Sequence, residues 1–248
     1  MKSSMLNSSG APSSVRTYWN NFNKRYSKNW DSYSKNQLSH QELGFIDKFI
    51  NDGVSTVLDI GIGNGRILEH IICKTKKTCD IYGGDISNEM VSICIDKFAS
   101  VGKKCKFETF DAAEKIPFEN RKFDLITAIR VVKYNRNWKE FIINAGARLT
   151  HNGVFVFTFL NKNSLSIFGN YGTKVFMLNK REIEHELTNA GFVILANEGF
   201  SILPAVLYHC RFLFVQKVVL FFEKLFKKIF GKTLLQKEFF IAVTLKDV

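Results

Sequence analysis

A chain of 248 residues with 46% hydrophobic content is long enough to bury one α/β core, and its formal charge of +12 sits on too apolar a composition for a disordered basic tail protein. A field of that sign favours nucleic acid, an anionic membrane surface or an anionic small molecule without choosing among them. Five cysteines (Cys73, Cys79, Cys94, Cys105 and Cys210) form no C-x-x-C pair and lie at no metal-ligand spacing, so no metal site is expected. They read as small core residues in a reducing compartment.

The first 14 residues lack the apolar segment of a secretory signal and read as a flexible lead-in; a cytoplasmic location is the expectation. Residues 15–52 have helical period and are rich in Tyr and Trp, which predicts a helical lid carrying Tyr18, Trp19, Tyr26 and Trp30 as packing residues. From residue 53 to 248 the pattern is that of one further domain, in which strand-like runs alternate with helical stretches. The runs are VSTVLDI (54–60), CDIYGGD (79–85), KCKFETF (104–110), FDLITAI (123–129), GVFVFTFL (153–160), GFVILANEGF (191–200) and KEFFIAVTLK (237–246). They predict an α/β fold, a Rossmann-like seven-stranded and mostly parallel sheet with helices on both faces. Asn179 with Glu182 three residues on resembles a capping box, and Gly191 suits a left-handed helix stop.

Residues 203–231 form an apolar-basic insertion before the last strand, in which Val218, Phe221, Phe222, Leu225, Phe226, Ile229 and Phe230 share one helical face. Lys224, Lys227, Lys228 and Lys232 lie largely elsewhere. Such a helix either packs that face on the core or makes a peripheral membrane contact through residues 218–232, which would place the protein at the inner face of a membrane. No window of about twenty apolar residues is free of Arg or Lys, so a spanning helix is not expected.

The first strand runs into Gly61, Gly63 and Gly65. A dinucleotide fingerprint needs a third glycine where Arg66 stands, and no G-K-[ST] follows for a P-loop. Asp59, two residues before the turn, would repel a pyrophosphate and attract an ammonium group. Asp85 closes the second strand and Asp111 follows the third, where carboxylates can accept from ribose hydroxyls and from an adenine amino group. S-adenosylmethionine carries an ammonium, a sulfonium, a ribose and an adenine, and no phosphate. Each of Asp85 and Asp111 taken alone could equally be a helix cap, and Gly83 and Gly84 could merely relieve crowding.

Taken in order, VLDIGIGNGRIL, IYGGDIS, DAAEKIPFENRKFDLITAIRVVKY, LTHNGVFVFTF and KREIEHELTNAGFVI resemble the motifs of the class I S-adenosylmethionine-dependent methyltransferases of the small-molecule subgroup, over roughly residues 40–200 plus the final strand. The resemblance implies that Asp59, Gly61 and Gly63 face the methionine end, with Ile129 near it. It further implies that Asp85 holds the ribose, that Ile86 covers the adenine, and that Asp111 with the backbone of Ala112 meets the adenine edge. The turn HNG (151–153) and the basic Lys133 and Arg136 depart from the commoner pattern.

Methyl transfer from a sulfonium is an in-line displacement from an already activated group, so no catalytic residue is obligatory; His40, Arg130 and Tyr134 are the acceptor-side candidates. The resulting expectation is methylation of a small molecule, O-directed, on a lipid, glycan precursor or secondary metabolite. A nucleic-acid methyltransferase is the alternative, disfavoured because AIRVVKY stands where N-P-P-Y or D-P-P-Y would, and a non-catalytic S-adenosylmethionine-binding protein is another.

Overall fold

The computed structural model describes residues 13–26, 33–164, 171, 173–202, 212–230 and 236–246. The expected lead-in up to residue 12, Trp30, Cys210, Lys232 and residues 203–211 lie outside the described residues, as do the side chains of Tyr26, Lys227, Ile229 and Phe230.

Strand β1 (Thr56–Ile60) leads through the glycine turn into α3 (Arg66–Lys74), β2 (Asp80–Asp85) into α4 (Asn88–Phe98), and β3 (Cys105–Thr109) is followed by β4 (Phe123–Ala128). Then come α5 (Trp138–Gly146), β5 (Leu149–Asn161), β6 (Met177–Leu178), α6 (Lys180–Asn189), β7 (Phe192–Phe200), α7 (Leu213–Phe230) and β8 (Glu238–Leu245). Two helices, α1 (Ser13–Tyr26) and α2 (Tyr33–Asp47), precede them. The strand order is β3-β2-β1-β4-β5-β8-β7, parallel except for β8, which runs antiparallel to both β5 and β7. This is the expected seven-stranded Rossmann-like α/β sheet. The two-residue β6, too short to carry a sequence signal, adds to it by pairing with Leu160 and Asn161 beyond the reach of β4.

Alternation along the strands divides the core in two. Leu58, Ile60, Phe123, Phe155 and Phe157 point to the face covered by Phe141, Ile142 and Ala145 of α5 and by Ile183 and Leu187 of α6. Val57, Ile81, Leu125, Val156 and Phe240 point to the face covered by α2, α3, α4 and Val219 of α7. Burial on both faces is why the parallel strands read as continuous apolar runs.

Local chemistry fixes the ends of several elements. Ser87 caps α4 by accepting from the Met90 N–H at 3.3 Å, and Asn179 caps α6 by accepting from the Arg181 N–H at 2.9 Å. Gly191, at φ 81°, stops α6 in the left-handed region. The HNG stretch expected as a turn is instead the start of the 13-residue β5. A register shift between Phe123 and Leu125 absorbs the extra residues, and Thr150 anchors them by donating to Asp124 Oδ1 at 3.0 Å. Of the cysteines, Cys79 and Cys94 are buried as expected, whereas Cys73 is exposed at the carboxyl end of α3.

For α7 the sequence left two orientations open, and the structure distinguishes them. It contacts α2, and its buried residues are Gln216, Val219 and Glu223, each about 5–6% exposed. Glu223 accepts from the Ile202 N–H at 2.7 Å, so the polar row is the one that finds partners inside. Phe221, Phe222 and Leu225 are exposed. Among the described residues no helix is long and apolar enough to cross a membrane.

Candidate cofactor and acceptor site

Ligands of open α/β sheets bind at the carboxyl ends of the strands, and here the glycine turn shapes that edge. Gly61, Gly63 and Gly65 have φ of 74°, 51° and 78°, a conformation costly for any residue with a side chain. A Cβ on Gly61 would also lie 2.2 Å from Val131 Cγ2. The N–H groups of Gly61 and Ile62 both donate to Gly84 O, that of Gly65 to Ile62 O, and that of Gly63 to Asp85 Oδ2 at 3.0 Å. A turn that spends its donors internally has few left for a phosphate. Arg66, in place of the third dinucleotide glycine, begins α3 and reaches out to α2. Gly84 is held bare by crowding, since a Cβ there would meet Phe110 Cε1 at 2.0 Å.

Three carboxylates stand along this edge. Asp59, 2% exposed, accepts from the Thr127 hydroxyl at 2.6 Å. Burial pushes its carboxyl up to about 7, against the pull of Thr127, and nearby Asp85 adds to the rise while Arg66 opposes it. Asp85 is also buried and raised by desolvation, despite bonds from the N–H groups of Ser87, Gly63 and Ile86. Its Oδ1 forms the local turn to Ser87 while its Oδ2 holds the glycine turn, so the capping role and the long-range role coexist. Asp111 uses Oδ1 to accept from the Ala113 N–H at 3.0 Å and from Asn135 at 3.4 Å, whereas its buried Oδ2 has no protein partner. Ile86 is half-buried beside this row, and Ala112 and Ile129 are buried, the Ala112 carbonyl accepting from Asn144.

Along the same edge lies a charged latch that the sequence reading missed. Glu42 of α2, with no exposed surface, pairs with Arg66 at 2.5 Å on one oxygen and with Arg130, whose Nε donates at 2.7 Å, on the other. Its signal was an acid on the buried face of α2, in the row of Leu38, Phe45 and Ile46. Arg130 is held at φ 65°, and its N–H donates to the Thr158 hydroxyl at 2.7 Å, which in turn donates to Glu238 at 2.9 Å. Burial alone would raise the Glu238 carboxyl; Lys133, Arg130 and Lys237 hold it below its ordinary range. Trp19 of α1 packs edge-on against Tyr134 with ring centroids 5.3 Å apart. Burial keeps the Tyr134 hydroxyl well above its ordinary value. Of the acceptor-side candidates, Arg130 and Tyr134 therefore lie beneath the helices of the expected lid, while His40 is exposed to solvent.

The residues fit a cofactor of stated chemistry. A buried carboxyl that gains from a neighbouring cation, an unsatisfied buried acceptor in Asp111 Oδ2 and a turn with little left for phosphate describe a nucleoside that carries an amino acid and no phosphate. Fold and edge together are those of a Rossmann-like domain whose strand-end carboxylates suit such a cofactor. Residues 57–153 match the family model described as Methyltransferase domain, and this stretch is such a domain. The mitochondrial ubiquinone biosynthesis O-methyltransferase of Candida albicans is 27% identical over 145 residues, 58% of this chain and 42% of that protein. An uncharacterized protein of Methanocaldococcus jannaschii is 30% identical over 147 residues, 59% of this chain and 52% of its own length. The matched stretch thus spans about half the length of these curated relatives. Among solved structures, magnesium protoporphyrin IX methyltransferase from Synechocystis with bound SAH shares the fold, with a TM-score of 0.64 at 16% identity, over 94% of this chain and 98% of that one.

Proposed function

We propose that this chain transfers the methyl group of S-adenosylmethionine to a hydroxyl of a small-molecule acceptor, a lipid, glycan precursor or secondary metabolite. The observation that carries the cofactor assignment is the row of buried carboxylates Asp59, Asp85 and Asp111, whose remaining acceptor capacity matches an ammonium, a ribose and an adenine amino group in that order. The likeness to an O-methyltransferase supports oxygen as the acceptor atom.

In this reading Asp59 pairs with the ammonium, Gly61 and Gly63 offer bare backbone beside the methionine chain, and Ile129 closes that end. Asp85 accepts from the ribose hydroxyls, Ile86 covers the adenine, and Asp111 with the Ala112 backbone holds its edge. Bound there, the cofactor supplies a methyl group on a positively charged sulfur. The chain's task is to align the acceptor oxygen and exclude water, for which α1 and α2 cover the edge. Tyr134, kept protonated by burial, serves as a hydrogen-bond donor at neutral pH and not as a base. Arg130 presents a partly exposed guanidinium to a polar or anionic acceptor group.

Calorimetric titration with S-adenosylmethionine and with NADH, on the wild-type chain and on Asp85→Ala, tests the cofactor assignment. Micromolar binding of S-adenosylmethionine alone, weakened on the order of 100-fold in the variant, is expected. Preference for NADH, or equal affinity in the variant, overturns it.

A further inference from the structure

Helix α7 is turned inside out relative to its composition. Gln216, Val219 and Glu223 form its buried row, while Phe214 (77% exposed), Phe221 (63%), Phe222 (43%) and Leu225 (37%) face outward, with Phe212 (74%) just before the helix. At 3.6 residues per turn, positions 214, 218, 221 and 225 make one continuous stripe. Exposed Lys217, Lys224 and Lys228, spaced seven and four apart, make a parallel row along one border of it. Scattered exposed apolar residues need no explanation, but a stripe three turns long with a cationic border does.

The location of this face gives it meaning. Strand β7 is parallel to β5, since both run antiparallel to β8, so β7 ends on the same edge as the strand-end carboxylates. The connection carrying α7 leaves from that end and returns at Glu238, beside Thr158 and Arg130. The helix itself rests on α2, the helix that carries Glu42.

We propose that the outer face of α7 docks on an anionic lipid bilayer, laying the helix in the interface and holding the acceptor side of the site against the membrane. The stripe enters the acyl boundary while the lysine row meets anionic headgroups, the arrangement of an in-plane amphipathic helix. The charge of +12 over the chain adds long-range attraction to the same surface. A second copy of the chain would bring two lysine rows of like sign together, which is why the lipid is the better occupant. Docking stands independently of the methyl-transfer reading; its corollary, that the acceptor is an amphiphile reached from the bilayer, rests on that reading.

Flotation of the full chain with phosphatidylcholine vesicles, with and without about one-third phosphatidylglycerol, tests the proposal. Binding is expected to the anionic vesicles and to fall with salt. Lys217→Ala, Lys224→Ala and Lys228→Ala together lower the partition on the order of 100-fold, and Phe214→Ser with Phe221→Ser lowers it comparably. Thermal midpoint and S-adenosylmethionine affinity, measured on the same variants, remain those of the parent. Absence of vesicle binding, binding indifferent to both sets of substitutions, or a lipid-free dimer that Phe221→Ser dissociates would each overturn it. Vesicle binding by a chain that does not bind S-adenosylmethionine would leave docking intact and remove only the corollary.

Discussion

Strands β1 and β4 carry an aspartate at each end of their pairing, and the two could hardly be treated more differently. At the amino edge Asp124 accepts at Oδ2 from the N–H and hydroxyl of Ser55 and the N–H and hydroxyl of Thr56, and at Oδ1 from Thr150. Burial would raise its carboxyl, but those bonds hold it below its ordinary range. At the carboxyl edge Asp59, directly opposite Thr127 in the ladder, receives that one hydroxyl and is pushed up to about 7. The chain gives one carboxylate five donors from three residues and the other a single hydroxyl. A buried carboxyl with so few donors on a rigid strand end is what the proposed ammonium contact would use.

The sharpest way to break this contrast is at the latch above Asp59. Glu42→Ala leaves Arg66 and Arg130 without the carboxylate that bridges them, and a loss of about 3 kcal/mol in denaturant unfolding is expected, with α2 opening to hydrogen exchange before the sheet does. An unchanged midpoint would mean that the latch carries no stability.

At the amino edge, Asp124→Ala should cost about 2 kcal/mol, because several donors lose one acceptor, while S-adenosylmethionine affinity stays at the parental value. The sign for Asp124 follows from its lowered carboxyl: its stabilising contribution is present above the ordinary value of 3.8 and is lost as pH falls through the lower folded-state value. Equal damage to cofactor binding would deny the separation of the two edges.

Asp59 gives the opposite sign. With its folded carboxyl raised, the native state binds more protons than the unfolded one between 3.8 and about 7, so stability of the cofactor-free chain falls as pH rises through that window. Asp59→Asn should flatten that slope and raise the thermal midpoint at about pH 8, while weakening the cofactor. In the parent, S-adenosylmethionine affinity should decline up to about tenfold per pH unit below about 7, with proton release on binding visible as a dependence of calorimetric enthalpy on buffer. A pH-independent affinity would take Asp59 out of the site.

Much of this was written locally. Continuous apolar runs, glycines where φ must be positive and acids at strand ends are signals carried within a dozen residues, so the parallel sheet, the turn and the carboxylate row were legible. The pairing of Glu42 with Arg66 and Arg130 was not, because its members lie 24 and 88 residues apart and nothing in either neighbourhood names the partner. The same holds for the HNG stretch, where turn residues were absorbed into a bulged strand by a bond from Thr150 to Asp124.

What the sequence alone determined is therefore the set of elements and the chemistry at their ends, since both follow from steric preferences and side-chain types that act over one or two turns. What only the tertiary structure decided is orientation: which oxygen of Asp111 remains unmet, which arginines pair with Glu42, and which face of α7 turns inward. The composition of α7 left its phenylalanines two fates, the core or a membrane surface. Glu223 found the Ile202 N–H, Val219 found the core, and the aromatic stripe was left outside, because a helix orients to satisfy the surface it meets and that surface is assembled from distant parts of the chain.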